Sequence, residues 1–385
     1  MSKLTIVFYT DSFLPARDGV VTSILNFRKE LIRRGHKVYL FASGNSDTRD
    51  SVKGDGDVFV VKGIKFRKYP QYSLALLPFV SEAKLSQINP DIIHAHTPFI
   101  MGSWALASAK IEKIPVVSTF HTMFTDKLVI KEYAAKFAVN TLQRYSERYA
   151  KIFYSRCNGV IAPSESTKKE LLKMGIENVY VVPNSIDMKR FNQNVNAGKI
   201  RKKLKRNRSE KIVLYLGRMS KEKRVEVLLK AARSMRGQNV RFVLAGTGPA
   251  LEYYMRMAER MKLENVLFTG FVPDNEIVKY YAACDIFCIP STFETQGIVC
   301  LEAMAMGKPV VGANKLALSD LIINGKNGEK FRPNDPKDCA KKIRKAINNT
   351  DAYKYTVKTA KDYSLEGTTD MLIDVYQKVI DSMTV

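Results

Sequence analysis

The sequence predicts an α/β fold of two doubly wound, parallel-sheet domains. Three observations carry that prediction. Short apolar, β-rich runs alternate with segments of helical spacing, which is the pattern of a parallel sheet covered on both faces. The alternation breaks once, at a basic stretch spanning 194–211, and then starts again. The 385 residues, 45% hydrophobic and 10% aromatic, are enough for two substantial cores.

In the first half, LTIVFYT (4–10) reads as a buried strand, VVTSILNFRKELIRRG (20–35) as a helix stopped by Gly35, and HKVYLFAS (36–43) as the next strand. DIIHAH (91–96), IPVVSTFHT (114–122) and NGVIAPSE (158–165) supply further strands, each followed by a helical segment. NVNAGKIRKKLKRNRSEK (194–211) is polar and basic and reads as a linker. Beyond it, IVLYLGR (212–218), VRFVLAG (240–246), VLFTGFV (266–272), DIFCIPS (285–291) and KPVVGAN (308–314) are the strands of a second domain. The expected domains are 1–190 and 191–365, with a helix over 366–385 packing back on the first. Both sheets are expected to turn their carboxyl ends towards one central cleft, where ligands of open α/β sheets bind.

The 62 Lys and Arg against 38 Asp and Glu give a formal charge of +24, a field that favours polyanions: nucleic acid, an anionic membrane surface or phosphate-bearing substrates. No nucleic-acid motif accompanies the charge, and the aromatic residues do not cluster with the basic ones as a stacking platform requires, so a nucleic-acid-binding protein is the disfavoured class. The opening MSKLTIVFYTDSFLP meets Asp11 within a few residues and reads as a strand rather than a secretory signal. No apolar run approaches the roughly 20 residues of a membrane span. Of five cysteines, Cys284 and Cys288 lie in a β-like run without a histidine nearby. A reducing, cytoplasmic compartment and no structural metal are therefore expected. His94 and His96 alternate on one strand, and no acid or cysteine stands at ligand spacing from them.

The chemistry concentrates in the second half. In STFETQGIVCLEAMAMGKPVV, Glu294 sits in the loop beyond a strand and Glu302 in the second turn of the helix that follows and stops at Gly307. The helix amino terminus near Gly297 offers N–H groups and a positive dipole end, and a carboxylate accepts hydroxyl hydrogen bonds, so the pair suits sugar or ribose hydroxyls. Upstream, Arg218 follows a strand end and Lys223 opens the next helix in GRMSKEKRVEVLLKA. A flat guanidinium fork and a compact ammonium at a helix amino terminus are suited to a diphosphate.

With LAGTGP and FTGFVPDNEIVKYYAACDIFCIPS, these motifs resemble the family 4 retaining glycosyltransferases, four motifs in order over the second half of the chain. The resemblance implies the two-domain GT-B fold and a nucleoside-diphosphate sugar donor, UDP or GDP, with no further cofactor and no metal. It implies that Arg218 and Lys223 bind the diphosphate, Glu294 the transferred sugar and Glu302 the ribose. Gln296, Gly297 and Ile298 would lie along the sugar, and Gly270 and Phe271 by the base. In FLPARDGVVTSI, Asp18 and Gly19 stand where the family has a Gly pair against the donor phosphate, so only Gly19 carries over. His121 resembles the family histidine beside the transferred sugar. Paired aspartates hold a metal in the other major glycosyltransferase fold, but Asp55 and Asp57 of KGDGDVF read as a Gly-rich turn. Retention is implied by front-face attack, in which the departing phosphate takes the acceptor proton and Arg218 and Lys223 stabilise its charge.

For the acceptor, residues 97–133 most resemble membrane-lipid glycosyltransferases, such as diacylglycerol glucosyltransferases and phosphatidylinositol mannosyltransferases. Ile130, Phe137, Tyr145 and Ile152 recur at near-heptad spacing among Lys131, Lys136, Arg144, Arg148 and Lys151, a cationic amphipathic face suited to an anionic bilayer. A peripheral protein on the inner face of the cell membrane is expected. A core stripe with solvated charges, and a soluble sugar or sugar-phosphate acceptor, are the alternatives.

Overall fold

A computed structural model describes residues 3–16, 18–66, 69–75, 80–133 and 136–384. The chain divides into two compact units, Met1–Ser185 with Leu365–Val385, and Ile186–Ser364.

Unit one holds β1 (Thr5–Thr10), β2 (Lys37–Gly44), β3 (Val58–Phe66), β4 (Tyr69–Ala75), β5 (Ile92–Ala95), β6 (Val116–Thr119), β7 (Gly159–Ala162) and β8 (Val179–Val181). Their order is β4-β3-β2-β1-β5-β6-β7-β8, and only β3 and β4 pair antiparallel. Strands such as β1 and β5 are apolar on both faces because helices cover both. The helix Leu365–Thr384 returns to this unit, where Leu372, Tyr376 and Val379 join Ile6, Phe8 and Val21 in one buried cluster. Each such side chain taken from water contributes about 1.5–3 kcal/mol.

Unit two holds β9 (Lys211–Leu216), β10 (Val240–Ala245), β11 (Val266–Gly270), β12 (Ile286–Ile289), β13 (Val310–Ala313) and β14 (Gly328–Phe331), all parallel, in the order β11-β10-β9-β12-β13-β14. That is the Rossmann order, and its direction reverses between β9 and β12.

The basic stretch 194–211 is not a linker. It lies inside unit two, and Gly198–Leu204 is a helix with Leu204 buried and Arg201 donating to both oxygens of Asp285, each at 2.9 Å. Its charges occupy the solvated side of a helix whose other side packs. Among the described residues no helix is long and apolar enough to cross a membrane.

Candidate active site

Ligands of doubly wound sheets bind at the carboxyl ends of the strands flanking the reversal. In unit two those strands are β9 and β12, and the chain leaving each carries a predicted residue. After β9 come Gly217 and Arg218, then a tight helical turn Lys221–Lys223, Arg224 in the left-handed region (φ +56°) and the helix Val225–Ser234. Lys223 therefore ends a short turn instead of opening the helix. The backbone behind Arg218 is closely packed: a Cβ on Gly246 would lie 2.0 Å from the Gly217 carbonyl oxygen. After β12, Ser291 and Phe293 are buried, Glu294 is half-buried, and Gly297 (φ +82°) turns the chain into the helix Ile298–Ala305.

The two loops meet. Lys223 Nζ donates to Glu294 Oε1 at 2.7 Å, joining residues 71 positions apart in the chain. Burial pushes the Glu294 carboxyl up, but the Lys223 ammonium, a hydrogen bond from Ser291 and the Arg218 guanidinium together hold it below the usual carboxylate range. Arg218 Nη2 lies 3.6 Å from Glu222 Oε1. Glu222 is buried, accepts a hydrogen bond from the Ser220 hydroxyl through that same oxygen, and has no partner at Oε2.

Glu302 behaves oppositely to Glu294. It accepts from the Tyr281 hydroxyl at 2.7 Å, and burial pushes its carboxyl up to about 7 against the opposing effects of Tyr281 and Arg190. Arg190 itself donates to Asp274 Oδ1 at 2.8 Å. One carboxylate is thus held ionised beside cations and the other is poised near neutrality, about one helical turn beyond Gly297. Gln296 is buried, Gly270 has φ +69°, and Phe271 is 73% exposed. Ser291, Glu222, Tyr281 and Arg190 went unpredicted. Tyr281 and Arg190 act on Glu302 from far along the chain, through packing, whereas Glu222 and Ser291 act on Arg218 and Glu294 within their own loops, at spacings of four and three that carry no motif.

In unit one, His121 stands two residues beyond β6, and His96 one residue beyond the adjacent β5. His96 Nδ1 and His121 Nε2 are 3.1 Å apart. His94 has no role open to it at a surface: it is fully buried, with Nδ1 2.6 Å from the Tyr376 hydroxyl and Nε2 2.7 Å from the Thr119 hydroxyl. Gly19 is the first residue of the helix Gly19–Arg33 and has no positive φ. Asp18 caps that helix by accepting from the Val21 N–H at 2.9 Å, so its side chain fills a place where a phosphate oxygen could otherwise lie. Asp55 accepts both Arg28 guanidinium hydrogen bonds, at 2.6 and 2.9 Å, and the Asp57 N–H at 3.2 Å, as a turn residue does.

Residues 17–190 match the family described as Glycosyltransferase Family 4, and residues 196–363 that described as Glycosyl transferases group 1. Over 97% of the chain the fold matches 99% of Anabaena HepE, solved with UDP and glucose, at TM-score 0.77 and 21% identity. The two Rossmann-like units have the GT-B fold, and the family matches over both of them make the protein a glycosyltransferase, an enzyme that draws on a nucleotide-sugar donor. The alpha-monoglucosyldiacylglycerol synthase of Streptococcus pneumoniae is 31% identical over 83% of this chain and 73% of its own. A GDP-mannose-dependent alpha-mannosyltransferase of Corynebacterium glutamicum is 30% identical over 84% of this chain and 76% of its own. The chain belongs to family 4 of the glycosyltransferases.

Proposed function

We propose that the protein transfers a hexose, with retention at the anomeric carbon, from a UDP- or GDP-sugar to the hydroxyl of a membrane lipid at the cytoplasmic face. The meeting of Arg218, Lys223 and Glu294 at the β9/β12 reversal carries the donor half of this reading. Arg218 and Lys223 take the diphosphate, and Glu294, kept ionised, accepts hydrogen bonds from sugar hydroxyls. Glu302 takes the ribose, Gln296 to Ile298 the sugar, and Gly270 and Phe271 the base; Gly19 is assigned to the donor phosphate and His121 to the transferred sugar. As the anomeric carbon–phosphate oxygen bond breaks, the acceptor oxygen bonds to that carbon from the same face, and its proton passes to the departing phosphate. The two cations stabilise the charge that develops there, with no metal in the scheme.

The acceptor half is supported by the helix Val139–Tyr154. Val139, Ala150, Phe153 and Tyr154 are buried, whereas Leu142, Tyr145, Tyr149 and Ile152 form an exposed stripe beside Arg144, Arg148 and Lys151. Phe137, just before it, is 91% exposed. The near-heptad row predicted from sequence does not hold together: Ile130 is buried in unit one. The Lys136 side chain lies outside the described residues. An exposed apolar stripe flanked by cations suits an anionic bilayer, and the diacylglycerol synthase among the relatives has the matching acceptor in its name.

Incubating the protein with each of several UDP- and GDP-sugars, with and without lipid extract and with excess chelator, tests the reading. One donor should be consumed, faster with lipid, chelator should change nothing, and product NMR should show the donor's anomeric configuration retained. Consumption of no nucleotide sugar, or an inverted product, overturns it.

A further inference from the structure

Three of the four histidines stand in a row. The rings of His94 and His96 stack with centroids 4.0 Å apart, and those of His96 and His121 lie 5.4 Å apart at 19°. His94 meets two hydroxyls, Tyr376 and Thr119, either of which can donate or accept, so its proton can sit on either nitrogen. His96 is constrained differently. Its Nδ1 faces another imidazole nitrogen, His121 Nε2, at 3.1 Å, while its Nε2 is buried and has no partner.

Two neutral imidazoles joined in this way have two arrangements. Either His96 carries its proton on Nδ1 and donates it to His121 Nε2, or His121 donates from Nε2 and the proton of His96 lies on its own Nε2. The second arrangement buries an N–H donor with no acceptor, which proteins rarely tolerate. The first leaves only an unused lone pair at that place. Burial keeps the rings neutral: it holds His96 well below the ordinary histidine value and takes His121 down to about 4, with the Asp18 carboxylate opposing in the latter case.

We propose that His96 is a positioning residue that sets the tautomer and ring plane of His121, by donating Nδ1–H to His121 Nε2 and so placing the proton of His121 on Nδ1. Histidine free in water prefers the proton on Nε2, so the His121 ring is held in its minor tautomer. His121 then carries its N–H at Nδ1 and has no free lone pair at either nitrogen, so its ring cannot take a proton from an acceptor. The catalytic consequence rests on the proposed place of His121 beside the transferred sugar; the position of the proton does not.

Long-range 1H–15N correlation spectra of the full chain labelled with [15N]histidine, with signals assigned by single substitutions, read the proton directly. The expected result is His121 protonated on Nδ1 in the wild type, and Nε2–H appearing in His96→Leu, which cannot donate. His96→Gln, whose amide can donate, should restore Nδ1–H and also covers the case in which the Leu variant does not fold. A proton on His121 Nε2 in the wild type overturns the proposal. Turnover of UDP-glucose supplies the second arm: kcat of His96→Leu should fall about ten- to a hundredfold, with KM changed less than about twofold and with recovery in His96→Gln. Unchanged kcat in His96→Leu alongside an inactive His121→Ala overturns the catalytic consequence. Unchanged kcat in His121→Ala instead counts against the place of His121 beside the sugar, and the spectra still decide the tautomer.

Discussion

Replacing Lys223 with Ala should destabilise unit two in a pH-dependent way, and the structure sets both size and sign. The Lys223 and Glu294 side chains are 22% and 12% exposed and 2.7 Å apart. Losing a charge-assisted hydrogen bond of this kind costs about 1.5–3 kcal/mol, roughly a ten- to 150-fold change in the folding constant, because the carboxylate left behind is largely out of water. In the wild type Glu294 lies below its ordinary value of 4.5. Its contribution is therefore complete above about 4.5 and is lost as pH falls through the lower folded value. Without the ammonium, burial is opposed only by Ser291 and Arg218, the folded value rises, and the variant loses stability as pH climbs. The gap between the two proteins should widen from pH 4.5 to 7. Trp104, the single tryptophan, belongs to unit one, so amide hydrogen exchange in β9 and β12 is the measurement, completed by a double-mutant cycle with Glu294→Gln. A gap independent of pH, or a coupling below about 0.5 kcal/mol, refutes the assignment of this pair.

Glu302, pushed up to about 7, works in reverse: the wild type should lose stability, by at most about 3 kcal/mol, as pH rises from about 4.5 through 7, and Glu302→Gln should not. Calorimetry with UDP or GDP should show Glu302→Ala weakening nucleotide binding while Glu294→Ala spares it and lowers turnover; equal losses of affinity count against the separate roles. In sedimentation with anionic vesicles, replacing Arg144, Arg148 and Lys151 together by Gln should weaken binding by about 3 kcal/mol at low salt, at about 1 kcal/mol per cation. Wild-type protein remaining in the supernatant moves the acceptor from lipid to a soluble sugar.

The parallel strands were legible because a strand buried on both faces is a short unbroken apolar run, as in TIVFYT of β1 and IFCI of β12. The antiparallel edge pair β3 and β4 was not, since GIKFRKYPQYS mixes charge, Gly and Pro. The strands β8 and β14 were not legible either: β8, VYV, is only three residues long, and β14, GEKF, has two charges in its four residues and so no apolar run. The run of Lys and Arg at 199–206 hid a helix because Leu204 and the Arg201–Asp285 contact, the features that anchor it, are a minority of its residues. At the site, Arg218 and Lys223, and Glu294 and Glu302, showed as local spacings. That Lys223 reaches Glu294 follows from β9 lying next to β12, which depends on the order of strands in the finished sheet.

Unit two is an insertion within unit one, and this has a consequence for the order in which the molecule can be made. As the chain leaves the ribosome, residues 186–364 emerge as a contiguous block that can close its own sheet without waiting. Unit one cannot do the same. Its first 185 residues must wait for residues 365–384, because Leu372, Tyr376 and Val379 complete the cluster around Ile6 and Phe8, and the Tyr376 hydroxyl is the partner of His94 Nδ1. The half that starts first therefore finishes last, and until it does, an open apolar face of β1 stands available to chaperones.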